Sequence, residues 1–279
     1  MTKQPRGKRP LKTTLKAPPK TPLKTLDRVL SKAGLGSRTD ARKWIGAGRV
    51  KVNGKLIQTP DHWVNLARDR VTLDDRLVQA FEKIYLLLYK PTGYITTFKD
   101  PEGRPTVYDL IQDLIRDAGR WVIPVGRLDL DTSGLLLLTS DTHFAERVSN
   151  PDYKVPKTYL VKASTLLSEE QLQQLRDGVI LNDGVTQPAQ VKRVRDSAKY
   201  SFIEITLHEG RNRQVRRMIE AIGSKVLKLV RIQIGDLRIG DLPIGHYREL
   251  TPAEVTLLVR GNRSGTGRGM GSQRTTIVR

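Results

Sequence analysis

The sequence predicts an α+β chain of two folded units between two basic tails. Three observations carry that reading. Residues 25–57 show two apolar stripes at helical spacing followed by an Asn-Gly hairpin signal. Residues 83–259 interleave short apolar strands with capped helices. The charge is partitioned along the chain rather than spread over it.

The charge sets the boundaries. The 279 residues include 49 Lys and Arg against 29 Asp and Glu, a net charge of +20. Residues 1–24 hold eight basic residues, five prolines and no acid; residues 260–279 hold five arginines, five glycines and no acid. Neither segment has hydrophobic periodicity, so both read as disordered arms. Residues 25–70 carry +6 and residues 71–259 only +1. The expected plan is a tail over 1–24, a small basic domain over 25–71, a linker over 72–82, a large domain over 83–259 and a tail over 260–279.

An excess of this size points to a polyanionic partner, in the simplest case nucleic acid. The absence of cysteine excludes disulfides, thiolate nucleophiles, iron–sulfur clusters and cysteine-ligated zinc. His62, His143, His208 and His246 are scattered without metal-site spacing, and no metal is expected. No run of about 18 apolar residues is present to span a membrane. The basic N-terminus is not followed by the apolar stretch of a signal peptide. A soluble cytoplasmic protein is expected.

In the small unit, Leu26, Val29 and Leu30 form a helical stripe that Gly34 and Gly36 end. Ser37 and Asp40 open a second helix with the stripe Ala41, Trp44 and Ile45. Val50 and Val52 alternate with Arg49 and Lys51 as a strand, and Asn53-Gly54 turns it back. Arg38, Arg42, Arg49 and Lys51 line one side, either as a solvated face or as contacts to RNA phosphates. The order of these residues resembles the α-L RNA-binding module of small-subunit ribosomal protein four. The resemblance implies binding to structured RNA.

In the large unit, Ile84–Tyr89 reads as a strand ended by Lys90-Pro91-Thr92-Gly93, and Tyr94–Thr97 as a second strand. An acidic loop, Gly126-Arg127-Leu128-Asp129-Leu130-Asp131-Thr132-Ser133-Gly134, enters a buried strand over Leu135–Thr139. Its two aspartates could cap the turn through their own side chains or, as a pair, bind Mg²⁺. Strands follow over 157–162, 189–194, 201–207 and 226–234, with helices after Asp141, Ser168 and Thr251. Val215, Met218, Ile219 and Ile222 form one face of a further helix, with Arg213, Arg216 and Arg217 on the other side. Four arginines in seven residues, counting Arg211, oppose the helix dipole and point to recognition of phosphate or carboxylate.

Four segments in order, Lys90-Pro91-x-Gly93, Gly126-Arg127-Leu128-Asp129-x-x-Thr132-Ser133-Gly134, Lys157-x-Tyr159 and Gly210-Arg211-Asn212-Arg213-Gln214-Val215-Arg216-Arg217-Met218, resemble the motifs of pseudouridine synthases. The resemblance is to the subgroup that modifies bacterial ribosomal RNA and carries an N-terminal α-L module. It implies a catalytic domain on a mixed, mainly antiparallel sheet flanked by helices. It assigns Asp129 as the catalytic carboxylate, Tyr159 as the aromatic that stacks on the target base, Arg216 as the arginine paired with Asp129, and Leu229 as the apolar wall. Arg127 would help hold the extruded nucleotide, and Arg211, Arg213 and Arg217 would meet RNA. It further implies no cofactor, a structured ribosomal RNA stem-loop as partner, and a monomer. The large-subunit RNA is favoured, with the small-subunit RNA, a non-catalytic ribosome-assembly protein and a metal-dependent nuclease as alternatives.

Overall fold

A computed structural model of the chain describes residues 23–66, 68–78, 83–118 and 121–260. Apart from residues 23, 24 and 260, both expected tails lie outside the described residues. The chain divides into two compact units: the first comprises residues up to Val29 and Arg38–Val78, the second Leu30–Ser37 and the residues from 79 onward.

The first unit begins with β1 (Lys24–Thr25), which pairs with β4 (Trp63–Val64). Helices α1 (Leu26–Lys32) and α2 (Arg38–Gly46) follow. Strands β2 (Val50–Val52), β3 (Lys55–Leu56), β5 (Val71–Leu73) and β6 (Arg76–Leu77) form an antiparallel sheet in the order β3-β2-β5-β6. Leu26, Val29, Ala41, Ile45, Val50 and Val71 are buried. Asn53 and Gly54 both have positive φ, as the Asn-Gly signal predicts.

One correction concerns the expected linker over 72–82. Its first half is a second hairpin of this sheet, β5–β6, turned by Asp74 and Asp75 at φ 49° and 63°. Aspartate tolerates the left-handed region better than most residues. Here the turn is also neutralised from β2, Arg49 donating to Asp74 at 2.9 Å and Lys51 to Asp75 at 2.6 Å. An Asp-Asp turn held by cations from a neighbouring strand has no local sequence signature.

The second unit is built on β7 (Tyr85–Lys90), β8 (Ile123–Val125), β9 (Ser133–Thr139), β10 (Lys157–Ala163), β13 (Gln190–Asp196), β14 (Ser201–Leu207), β15 (Val226–Ile234), β16 (Leu237–Arg238) and β17 (Tyr247–Glu249). The sheet order is β13-β14-β10-β15-β9-β7-β17, with β16 on β15 and β8 on β9. Only β15 and β9 run parallel. The sheet is therefore mixed and mainly antiparallel. A small hairpin, β11 (Ile180–Leu181) with β12 (Gly184–Val185), stands apart from it.

Among the described residues five helices flank the sheet: α3 (Gln112–Ala118) after the 3-10 turn Val107–Ile111, α4 (Thr142–Ser149), α5 (Glu169–Asp177), α6 (Gln214–Ala221) and α7 (Pro252–Arg260). The strand period of two divides the side chains between cores. Leu86, Leu88, Leu136 and Leu138 pack with Val107 and Ile111. Leu87, Leu135 and Leu137 pack with Phe144 of α4 and Leu258 of α7. Val161, Ile203, Ile205 and Leu229 pack under α5 and α6. No helix among the described residues is long and apolar enough to cross a membrane.

The strand expected over Tyr94–Thr97 is not formed; Ile95 makes a single bridge to Thr106. The segment bonds the Asp129 loop instead of a neighbouring strand. Gly93 N–H donates to the Leu130 carbonyl (2.8 Å), and the Thr96 hydroxyl donates to the Leu128 carbonyl (2.8 Å).

Candidate active site

The loop Gly126–Thr132 joins β8 to β9 and carries Asp129. Its backbone is fixed chiefly by Lys90, the last residue of β7, whose side chain is fully buried. The Lys90 ammonium donates to three carbonyls, those of Pro91 (3.0 Å), Asp129 (2.9 Å) and Thr132 (2.8 Å). Burial pulls its pKa down to about 8, against the opposing pull of Asp129 and Asp131. All three N–H groups of an ammonium are thus satisfied, as a buried cation requires. The start of β9 is equally constrained. Gly134 sits at φ 116° in register with Arg231 of β15, and a Cβ there would lie 2.3 Å from the Arg231 carbonyl oxygen.

The Asp129 carboxylate is partly exposed to a cavity of about 390 Å³, within the range of small-molecule sites. Tyr159, Leu229, Arg127, Arg211 and Arg213 share its walls. Tyr159 is central on β10, paired with Ile205 on one side and Arg231 on the other, and packs against two cores. Its hydroxyl bonds no described residue. Leu229 is 5% exposed, and its carbonyl accepts from the Ser133 hydroxyl at 3.5 Å. Arg127 is exposed at the wall and has no side-chain partner among the described residues.

The arginine at Asp129 differs from the expected one. Arg213 approaches the Asp129 carboxylate at 3.5 Å and also grips Asp131 through two bonds of 3.2 and 3.0 Å. Arg216, expected to pair with Asp129, instead donates to the Asp131 carbonyl (2.9 Å) and meets its carboxylate at 3.2 Å. The cause is the start of α6. Arg213 is its N-cap, held at φ 46° in the left-handed region, and from there its side chain reaches the Asp129–Asp131 loop. Arg216 lies one turn inside the helix and is buried rather than on a solvated face. Burial raises the pKa of Asp131, but the bond from Arg213 and the charges of Arg216 and Arg213 outweigh it, leaving a net shift below the usual carboxylate value.

Two arginines expected to meet RNA also make contacts within the chain. Arg211 is spent within the chain, donating to Glu209 (3.1 Å) and to the carbonyls of Asp183, Gly184 and Val185. Arg217 pairs with Asp183 at 2.9 Å. Both hold the β11–β12 hairpin, Arg211 from the loop before α6 and Arg217 from α6 itself. In the first unit, Arg38 and Arg42 converge on the buried Asp27 at 2.7 and 3.0 Å while half of each side chain stays exposed. The sequence places Lys90 only within a motif and Asp131 only in a turn cap or a Mg²⁺ pair, with no part for either in holding the site. The available signals were a lysine closing an apolar strand and a second acid two residues after the first.

A comparison with protein families matches residues 84–221 to RNA pseudouridylate synthase and residues 24–71 to the S4 domain. The chain is 42% identical over 238 residues to ribosomal large subunit pseudouridine synthase B of Bacillus subtilis (strain 168), covering 85% of this chain and 96% of that protein. It is 40% identical over 236 residues to an uncharacterized RNA pseudouridine synthase of Aquifex aeolicus (strain VF5), covering 84% and 93%. A crystal structure of a pseudouridylate synthase superposes with a TM-score of 0.60 at 31% identity, covering 84% of this chain and 99% of that one. The chain belongs to the RNA pseudouridine synthase family. It is accordingly an isomerase with an N-terminal S4 domain, and the α+β architecture expected from the sequence holds. In this synthase, the loop held by Lys90 and Thr96 presents a carboxylate to a cavity that is also lined by an aromatic ring with an unengaged hydroxyl. Among the described residues no group of three or more acids or histidines is placed to hold a metal ion.

Proposed function

We propose that this synthase converts one uridine of large-subunit ribosomal RNA to pseudouridine. The observation that carries the reading is Asp129, fixed through its own carbonyl by Lys90 and opening with Tyr159 and Leu229 onto one cavity. The similarity to the Bacillus subtilis large-subunit enzyme supports the choice of RNA.

In the reaction, the N1–C1′ bond breaks and a C5–C1′ bond forms; C5 loses a proton and N1 gains one. The product is an isomer, so no electrons are exchanged and no group is transferred to another molecule. The target base leaves its stack to enter the cavity, where the Tyr159 ring supports it. The Asp129 carboxylate is the group that acts on the nucleotide. Arg213 takes the role expected of Arg216 and orients that carboxylate, while the Tyr159 hydroxyl is placed to assist loss of the C5 proton. Arg127 contacts the flipped nucleotide's phosphate. Arg38, Arg42, Arg49 and Lys51 of the S4 domain engage the structured stem-loop: Arg49 and Lys51 exchange surface ion pairs, which are individually weak, for phosphate contacts, while Arg38 and Arg42 keep the buried Asp27 and offer their exposed N–H edges. The protein works as a cytoplasmic monomer, and the segments outside the described residues add general affinity.

Asp129→Asn is expected to abolish tritium release from [5-³H]uridine-labelled ribosomal RNA while filter binding of the same RNA persists. Undiminished release by the variant would overturn the assignment.

A further inference from the structure

We propose that the face of the β13-β14-β10-β15 sheet turned away from α5 and α6 is a second RNA-contact surface, taking backbone phosphates of the ribosomal RNA outside the reacting stem-loop. The proposal rests on the functional reading above and extends it to a part of the molecule that the reaction does not use.

On one side of these strands Val191, Ile205, Val161 and Leu229 pack under α5 and α6. The alternate residues point the other way. In register, Arg195 of β13 stands opposite Phe202 of β14, Phe202 opposite Lys162 of β10, and Lys162 opposite Lys228 of β15. Neighbouring strands are about 4.8 Å apart, so the row puts three cations within about 14 Å. Aromatic rings hold two of them. The Arg195 guanidinium lies 3.9 Å from the centre of the Phe202 ring, and the Lys162 ammonium lies 4.2 Å from Tyr200 and 5.8 Å from Phe202. A guanidinium lying on a ring keeps its N–H edge free for an oxygen acceptor.

Most of the arginines expected to meet RNA face an acid, which this row does not. Arg38 and Arg42 face Asp27, Arg49 faces Asp74, Arg211 and Arg217 face Asp183, and Arg213 faces Asp131. Arg195, Lys162 and Lys228 have no hydrogen bond or ion pair with any described residue. Glu204 is the acid on this face, set opposite Lys192 and Leu160. Asp196, at the end of β13, is occupied by Arg193 and the Ser201 hydroxyl. A domain that is almost neutral in sum therefore carries a row of three cations without counter-charge on this face. Unpaired cations fixed in a row suit the regularly repeated charge of a nucleic-acid backbone. Contact at a second surface also raises the effective concentration of the target at the first.

The test compares Arg195→Gln/Lys162→Gln/Lys228→Gln with the wild type on two RNAs, a full-length large-subunit rRNA transcript and the shortest rRNA stem-loop that the wild type modifies. For the transcript, Kd should weaken about tenfold or more. The slope of log K against log salt should shrink by about 2, since each single-strand phosphate contact contributes about 0.7. Turnover of the short stem-loop should be unchanged. The charge-conserving Arg195→Lys/Lys162→Arg/Lys228→Arg protein should keep the wild-type slope. An unchanged slope in the glutamine variant would overturn the proposal, as would polyglutamate binding this face as tightly as the transcript does. Pseudouridine formation by the wild type tests the functional reading separately from the slope.

Discussion

The ammonium of Lys90 lies 2.9 Å from the main-chain oxygen of Asp129. The residue that closes one strand thereby fixes the backbone of the residue that does the chemistry, without approaching its carboxylate. Two further carbonyls, of Pro91 and Thr132, complete the shell of this buried cation.

Lys90→Met should be among the most damaging changes to the protein. It leaves three carbonyls without their donor, and a buried unsatisfied polar group costs about 1–3 kcal/mol. A loss of several kcal/mol is expected, read as a lower urea midpoint and tritium release reduced at least a hundredfold. An unchanged midpoint would show that water replaces the ammonium.

Gly134→Ala tests the parallel β9–β15 contact. The added Cβ would lie 2.3 Å from the Arg231 oxygen, and the backbone sits at φ 116°, where side chains are strained. The strands must separate, and the expected cost is about 3 kcal/mol or more. Thermal unfolding measures it, and a melting point within 2 °C of wild type, a small shift on the usual scale, would contradict the close approach.

Asp131→Asn tests the arginine network without touching the Asp129 carboxylate. It weakens the hold on Arg213, which keeps only its 3.5 Å contact to Asp129, while Arg216 retains its bond to the Asp131 carbonyl. Charge-assisted bonds contribute about 1.5–3 kcal/mol, and screening at this partly exposed carboxylate reduces that figure. A fall in kcat of about tenfold is expected, with RNA affinity maintained. Wild-type kcat would show that Arg213 is positioned by its left-handed backbone alone.

The S4 domain should carry an acid-sensitive step at Asp27. Burial raises its pKa, but bonds from Thr25, Arg38 and Arg42 outweigh that and bring it down to about 2. Because the folded value lies below the unfolded one, the stabilisation is fully present above about pH 4. It is lost as pH falls towards 2, and amounts to about 2 kcal/mol. Urea unfolding of the full chain between pH 5 and pH 2.5, followed through Trp44 and Trp63 fluorescence, should show the loss, and Asp27→Asn should flatten it.

Sequence by itself determined the family motifs, the Asn53-Gly54 hairpin and most strands of the sheet. These follow from short-range patterns: strand alternation, turn chemistry and motif order. The motif resemblance named Asp129, Tyr159 and Leu229, and the structure places them around one cavity. Tertiary structure decided which arginine meets Asp129, because the answer depends on the left-handed backbone at Arg213 and the burial of Arg216. It also decided that Asp74-Asp75 turns a hairpin, since the neutralising cations Arg49 and Lys51 come from another strand. The same holds for the charge. A net of +20 says how much positive charge the chain has, but pairing across elements determines where that charge is left uncompensated. Segment sums put it outside the large domain; the sheet register gathers part of it into the Arg195–Lys162–Lys228 row, because only in three dimensions does each cation meet, or fail to meet, its acid.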